Sequence, residues 1–383
     1  MTEDERDIRQ TIASAHRIVI KLGTRVLSDS KGRLNKARVS EVVAALSKLH
    51  KEKEIIIVTS GAVGSGMEVL NLKSRPKDLS GLQMAAAVGQ PKLMSCYSEC
   101  FSKYKISVGQ VLLTHDDLKI RGRHLTVRNT LLSLLKNKLI PIINENDAVS
   151  VDEIKIGDND TLAALVSILI GADVLLLLTT VNGLQNNQTK SANKRVSYLN
   201  EVTSTALSLA NGKGSELSVG GMATKLQAAE MVTKVGGLCI IADGRRKDTL
   251  PRIFAGEEVG TAIGSTKLNS RSITNSRKKW IAFFNKHRGI VTIDRGAEEA
   301  LVKKDRSLLS VGVQRVDGNF DIGDLVEIRS IDGVLLGKGL AGYSSSQLEL
   351  VRGKKTKDAE LISSGNCYKE VIHRDNLVLL VKD

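Results

Sequence analysis

LIPIINENDAVSVDEIKIGDNDTLAALVSILIGADVLLLLTT, residues 139–180, decides how the rest of the chain is read. Leu139–Ile143 is a short apolar run of strand length, and Thr161–Ile170 is an apolar run of helix length. Gly171-Ala172-Asp173 breaks the sequence before a second β-type run, Val174–Leu178. Strand, helix and strand in that order predict a βαβ unit and parallel strands. The break also argues against a membrane span across Leu162–Val181. Two dense polar clusters flank the passage: Asn144-Glu145-Asn146-Asp147 and Gly157-Asp158-Asn159-Asp160. One such residue would be a helix cap. Two clusters around one strand–helix passage look like a site, suited to binding an amine, holding Mg²⁺ or orienting lysines.

The same rhythm extends in both directions. Arg17–Lys21, Ile55–Val58, Ser107–Leu113 and Leu238–Ala242 read as further strands, with helices over 37–50, 80–101, 124–137 and 223–235. The strands are continuous apolar runs, so the sheet is expected to be covered on both faces. After residue 265 the pattern changes. Residues 267–279 are polar and basic, as a linker would be, and short β-type runs follow at 289–293, 311–316, 325–328 and 334–341. Turn signals such as Asp317-Gly318-Asn319 separate them. The expected organisation is an α/β domain over 1–266, a linker over 267–279 and a small β-rich domain over 280–383.

Composition narrows the class. With 383 residues, 42% hydrophobic and 26% charged, the chain is globular and long enough for two domains. Four cysteines cannot be a disulfide framework at this length, which points to a reducing, cytoplasmic compartment. Cys96 and Cys100 fall one helical turn apart, with no second pair to complete a zinc site. Met1–Gln10 is acidic and polar, unlike a secretory leader, and carries no assigned role. The net charge of +14 suits an anionic partner, and 3% aromatic residues argue against a base-stacking platform.

Polar residues and glycines gather where strands end, which is where open α/β sheets bind ligands. Lys21-Leu22-Gly23-Thr24, Thr59-Ser60-Gly61-Ala62 and Thr179-Thr180 are three such segments; Gly220-Gly221-Met222-Ala223-Thr224-Lys225 opens a helix. Each alone is weak. Gly61 to Gly66 has P-loop spacing, but Met67 stands where the lysine belongs, and no dinucleotide fingerprint follows a strand. Together, glycine turns, a lysine at a helix N-terminus and Lys21 at a strand end suit a polyphosphate.

VIKLGT (19–24), VTSGAV (58–63), INENDAV (143–149), IKIGDND (154–160) and GGMATKLQAA (220–229), in that order, resemble the glutamate 5-kinases of the amino acid kinase family. SLLSVGVQRVDGNFDIGDLVEI (307–328) resembles a PUA domain. The resemblance runs from about Arg17 to the end of the chain. It implies a three-layer αβα sandwich around a mainly parallel sheet and transfer of the γ-phosphoryl of ATP, with Mg²⁺, to the γ-carboxylate of L-glutamate. That reaction opens proline biosynthesis. By this resemblance Lys21 and Lys225 contact phosphate, and Asp160 organises both lysines. Ser60, Asp147 and Asn159 bind glutamate, with Asn144 in the same loop. Thr179, Thr180 and Val219, Gly220, Gly221, Met222, Ala223, Thr224 and Lys225 bind the nucleotide. It also implies a homo-oligomer, dimer or tetramer, and a glutamyl phosphate reductase as partner, with no membrane.

Departures fall on the nucleotide side. Thr180 stands where the family has Asp, Val219 where it has a small polar residue, and Asn186–Lys190 lacks an expected Asp-Pro. Altered nucleotide binding, rather than lost glutamate recognition, is the expectation. Two other readings compete. One is a kinase of the same fold with another acceptor, which INENDAV and GDND oppose. The other is an RNA-binding protein acting through its basic tail, opposed by the retained lysines and acidic loops.

Overall fold

A computed structural model describes residues 1–29, 32–119, 121–149, 159–186, 195–210, 221–266, 278, 281, 287–354 and 370–381. The chain divides into two compact units, Met1–Ser272 and Ile273–Asp383. Apart from Lys278, the linker expected at 267–279 lies outside the described residues.

The first unit is built on β1 (Arg17–Leu22), β2 (Glu54–Thr59), β3 (Val108–Leu113), β4 (Ile140–Glu145), β5 (Val174–Thr179), β6 (Tyr198–Leu199), β7 (Leu238–Asp243) and β8 (Thr261–Ile263). They form one sheet in the order β3-β4-β2-β1-β5-β7-β8-β6. Every pairing is parallel except β7 with β8. Its helices are α1 (Glu3–Ser14), α2 (Thr24–Leu27), α3 (Lys36–Leu49), α4 (Ala62–Val69), α5 (Leu79–Ser102), α6 (His115–Lys119), α7 (Arg121–Lys136), α8 (Asn159–Ile170), α9 (Ser204–Ala210), α10 (Met222–Thr233) and α11 (Thr249–Phe254). The apolar run 162–181 is thus a buried helix and a buried strand, and no described helix is long and apolar enough to cross a membrane.

Side-chain alternation along the strands sorts the sheet's two faces. Ile18, Ile20 and Leu22 of β1 join one core with Ile8 and Ile12 of α1, Val39 and Val43 of α3, and Leu93 and Tyr97 of α5. Val19 and Lys21 take the opposite parity, on the strand against which α8 packs. The strand register therefore delivers Lys21 to the α8 side.

The crossing of α4 and α5 is unusually close. A Cβ on Gly66 would lie 1.7 Å from the carbonyl oxygen of Ala85, and one on Gly89 would lie 1.9 Å from that of Ala62. Both obstacles are backbone, so neither can rotate away. Gly89→Ala is therefore expected to destabilise the unit by about 3 kcal/mol, the upper end of overpacking costs. It should also displace Ala62, where α4 begins. Chemical denaturation measures the first effect; an unchanged midpoint would mean the helices separate freely.

The second unit has strands β9 (Gly289–Ile293), β10 (Val313–Gly318), β11 (Leu325–Ser330), β12 (Leu335–Leu340) and β13 (Leu377–Leu379), in the order β10-β9-β11-β12-β13. Only β9 and β11 pair in parallel. Val291, Ile293, Val326, Ile328 and Tyr343 anchor its own core. The run read as a strand from 311 begins instead with a 3₁₀ turn, Ser310–Gly312.

Candidate active site

The parallel strands end together, and the polar residues singled out in the sequence sit at or after those ends. Lys21 is the penultimate residue of β1, and its ammonium is 2.7 Å from Asp160 Oδ1. Lys225, in the first turn of α10, is 2.9 Å from Asp160 Oδ2. All three residues are buried, Asp160 completely. Burial pushes the Asp160 carboxyl upward, but the two lysines outweigh it and hold the group below the usual carboxylate range. Thr224 Oγ1 lies 2.8 Å from the carbonyl of Gly221 and 3.2 Å from Asp160 Oδ2, its single hydrogen shared between the two acceptors. One carboxylate thus gathers two cations and a hydroxyl beside the N-terminus of a twelve-residue helix. That arrangement attracts phosphate.

Asn159, the neighbour of Asp160 in sequence, turns to a different group. Its Nδ2 shares its hydrogens among Thr59 O at 2.8 Å, Ser60 Oγ at 2.8 Å and Asn144 Oδ1 at 3.2 Å. Asn144 Nδ2 in turn donates to Gln90 Oε1 at 3.0 Å. Asn159 Oδ1 is buried without a hydrogen-bond partner among the described residues. The first two residues of α8 therefore face two different sets of partners, two lysines at Asp160 and a row of amide, hydroxyl and carbonyl groups at Asn159. Gly61, next to Ser60, caps α4 at φ +115°, a conformation that favours glycine. A Cβ on Gly23 would stand 3.8 Å from the Lys21 ammonium, so glycine keeps space open beside it.

Asp147 follows β4 in the same loop as Asn144, and its Oδ1 is buried with no hydrogen-bond partner among the described residues. Burial, reinforced by Glu145 and only partly offset by Arg75, raises its carboxyl to about 6. Thr179 ends β5 in register with Asp243, which ends β7. The Thr180 carbonyl accepts from Arg245 Nη2 at 2.7 Å, and Arg245 also pairs with Asp243 at 2.8 Å. Met222 and Ala223 form the first turn of α10. Val219, Gly220, Asp158 and residues 187–190 lie outside the described residues.

Gln90, Tyr97, Asp243 and Arg245 had no place in the sequence reading. Tyr97 is fully buried on α5, and its hydroxyl lies 2.8 Å from Thr59 Oγ1, supporting the end of β2 from behind. The sequence did hold a signal for the pair Asp243–Arg245: a charged Asp-Gly-Arg-Arg run directly after a strand. Gln90 carried none, since it looks like one more polar residue of a long helix. Cys96 and Cys100 are both buried in α5, and burial pushes the Cys96 thiol up to about 12.

Residues 16–243 match the amino acid kinase family and residues 289–362 the PUA domain. A glutamate 5-kinase of Caldanaerobacter subterraneus is 43% identical over 95% of this chain and 98% of its own. One from Moorella thermoacetica is 41% identical over 98% and 99%, and one from Myxococcus xanthus 40% identical over 97% and 98%. Matched along nearly its whole length, the chain belongs to the glutamate 5-kinase family, an amino acid kinase domain followed by a PUA domain.

Proposed function

We propose that the protein transfers the γ-phosphoryl group of ATP to the γ-carboxylate of L-glutamate, yielding L-glutamyl 5-phosphate and ADP, the first step of proline biosynthesis. The observation that carries this reading is the division of labour between Asn159 and Asp160. One faces amides suited to an amino acid, the other holds two lysines suited to phosphate.

A γ-carboxylate ionises near pH 4.3, so at neutral pH it is already the nucleophile and no general base is needed. One carboxylate oxygen forms a bond to the γ-phosphorus as the bond to the β,γ-bridging oxygen breaks. The barrier is the approach of one anion to another. Lys21 and Lys225 offset that repulsion, and the backbone N–H groups that begin α10 add positive potential. Asp160 keeps both ammoniums converged before substrate arrives, so little reorganisation is needed. Asp147 takes the substrate's ammonium, with Ser60, Asn144 and Asn159 around the remaining polar groups. On the nucleotide side, Thr179, Thr180 and the start of α10 receive ATP.

Asp160, the described acidic candidate for Mg²⁺, has each oxygen beside a lysine, and no cluster of three metal-ligating side chains occurs among the described residues. The ion is therefore expected on the nucleotide's phosphates with water completing its shell. Bound there, it neutralises phosphate charge. The acyl phosphate product is labile in water, so a reductase that consumes it directly is the expected partner. A homo-oligomeric, cytoplasmic enzyme completes the proposal; three free buried cysteines suit that reducing setting.

The direct test supplies purified protein with ATP, Mg²⁺, L-glutamate and hydroxylamine, which traps an acyl phosphate as a hydroxamate. Glutamate-dependent hydroxamate is expected; ATP consumption without it would mean another acceptor. A pH dependence follows from Asp147. A carboxyl raised to about 6 loses its charge as pH falls through that value. The kcat/KM for glutamate should therefore fall below about pH 6, because only ionised Asp147 attracts the ammonium. Asp147→Asn should weaken glutamate use at neutral pH and remove that acidic limb. A limb of unchanged midpoint in the variant would assign it to another group.

A further inference from the structure

The amide row beyond Asn159 has a polarity that can be derived. The carbonyl of Thr59 can only accept, so Asn159 must present its NH₂ there, as it does at 2.8 Å. The same NH₂ reaches Asn144, which must answer with its oxygen, at 3.2 Å. Asn144 then has only its NH₂ for Gln90, which accepts through Oε1 at 3.0 Å. The row thus ends on Gln90 Nε2, a donor. That atom is buried and has no hydrogen-bond partner among the described residues, on a residue only 8% exposed. A buried donor left unpaired is costly and calls for an explanation.

Position along the row supplies one. Asp160 and the two lysines mark the reacting end. Asn159 is next, then Asn144, then Gln90. A dicarboxylic amino acid whose γ-carboxylate lies at the lysines extends its α-carbon away from them, along this row. Asp147, in the loop of Asn144, offers a buried open acceptor for the ammonium. We infer that Gln90 is a specificity-determining residue that donates Nε2–H to the substrate's α-carboxylate. This inference rests on the function proposed above and adds which substrate group is read, and by which residue. Position 90 then selects an acceptor at the α-carbon because Thr59, three links away, fixes which end of the amide is free.

The test compares L-glutamate with its 1-amide, in which a neutral carboxamide replaces the α-carboxylate, in the full-length enzyme. Gln90→Glu keeps an oxygen to accept from Asn144 but turns the donor into an acceptor or anion. It should raise the KM for glutamate about tenfold or more, the cost of one hydrogen bond to a charged group, and leave the KM for ATP near wild type. The preference for glutamate over the 1-amide, taken as a ratio of kcat/KM values, should fall by about the same factor. Gln90→Met should raise the glutamate KM as well; should that variant fail to fold, Gln90→Glu decides alone. Equal losses on both substrates, or a raised KM for ATP of the same size, would make Gln90 a structural residue and overturn the inference. An unmoved glutamate KM would overturn it too. Wild-type turnover is measured first. Absence of glutamate hydroxamate there would overturn the functional reading itself, whereas normal wild-type turnover with an unmoved variant overturns only the role of Gln90.

Discussion

Asp160→Ala is expected to lower turnover by about a thousandfold, the scale seen when a preorganised electrostatic group is removed. The two Asp160 oxygens lie 2.7 and 2.9 Å from the ammoniums of Lys21 and Lys225, so the residue exerts its effect through them. Without it, two buried cations converge on nothing and repel one another. They would separate or turn toward solvent, and the phosphate would meet a scattered charge instead of a fixed pair. Asn159 should be little affected, because its partners Thr59, Ser60 and Asn144 are all on the amide side. The glutamate KM should therefore move far less than kcat.

The same substitution has a folding cost, which a simple helix cap would not have. Breaking a buried ion pair by removing one partner costs about 3–5 kcal/mol. The pH dependence has a definite sign. The Asp160 carboxyl is held below its ordinary range, so its contribution is present above the unfolded-state value near 3.9 and is lost as pH falls through the lower folded value. Alanine should remove that acid-side dependence. ATP should restore more thermal stability to the variant than to the wild type, since phosphate supplies the missing negative charge. Near-normal turnover in a folded Asp160→Ala protein would end the organising role.

The legible parts of this molecule were those carried by stretches contiguous along the chain. Apolar runs located six of the strands in the large sheet to within one or two residues; five are buried almost throughout, as strands covered on both faces are, whereas β3 is an edge strand with Gln110 exposed. Lys21 and Lys225 were each a weak signal alone and became legible only together with the glycine turns beside them. The two-residue β6 and three-residue β8 are too short to show periodicity. Helix α4 was hidden because its glycines serve the crossing with α5, and glycine in a helix reads as a turn. Gln90 belongs to the site only because α5 runs past Asn144, a contact spanning more than fifty positions that no local pattern encodes. Met1–Gln10 was read only as acidic and polar, whereas the chain forms a helix over Glu3–Ser14 that buries Ile8, Arg9 and Ile12.

Arg9→Met carries the second large expectation: loss of about 3–5 kcal/mol, the cost of leaving a buried partner charge unpaired. Arg9 is 1% exposed, and burial pulls its guanidinium below its ordinary range against the opposing bond to Glu5. Nε is 3.0 Å from Glu5 Oε1; Nη1 donates to Glu257 O at 3.1 Å and Val259 O at 2.9 Å; Nη2 donates to Ser197 O at 2.8 Å. These carbonyls belong to the segments leading into β6 and β8, the edge of the sheet beyond β7. One side chain therefore fastens α1 to two peripheral strands that are too short to hold themselves. Methionine fills much of the volume but strands the Glu5 carboxylate, which is itself buried and retains the Ser197 hydroxyl at 3.2 Å among the described residues. At roughly 2–4 °C per kcal/mol for a unit of this size, melting should drop by roughly 6–20 °C. Glu5→Gln combined with Arg9→Met should recover part of that loss, because removing both charges costs less than orphaning one. A melting point unchanged in the single variant would show that α1 is held by Ile8 and Ile12 alone.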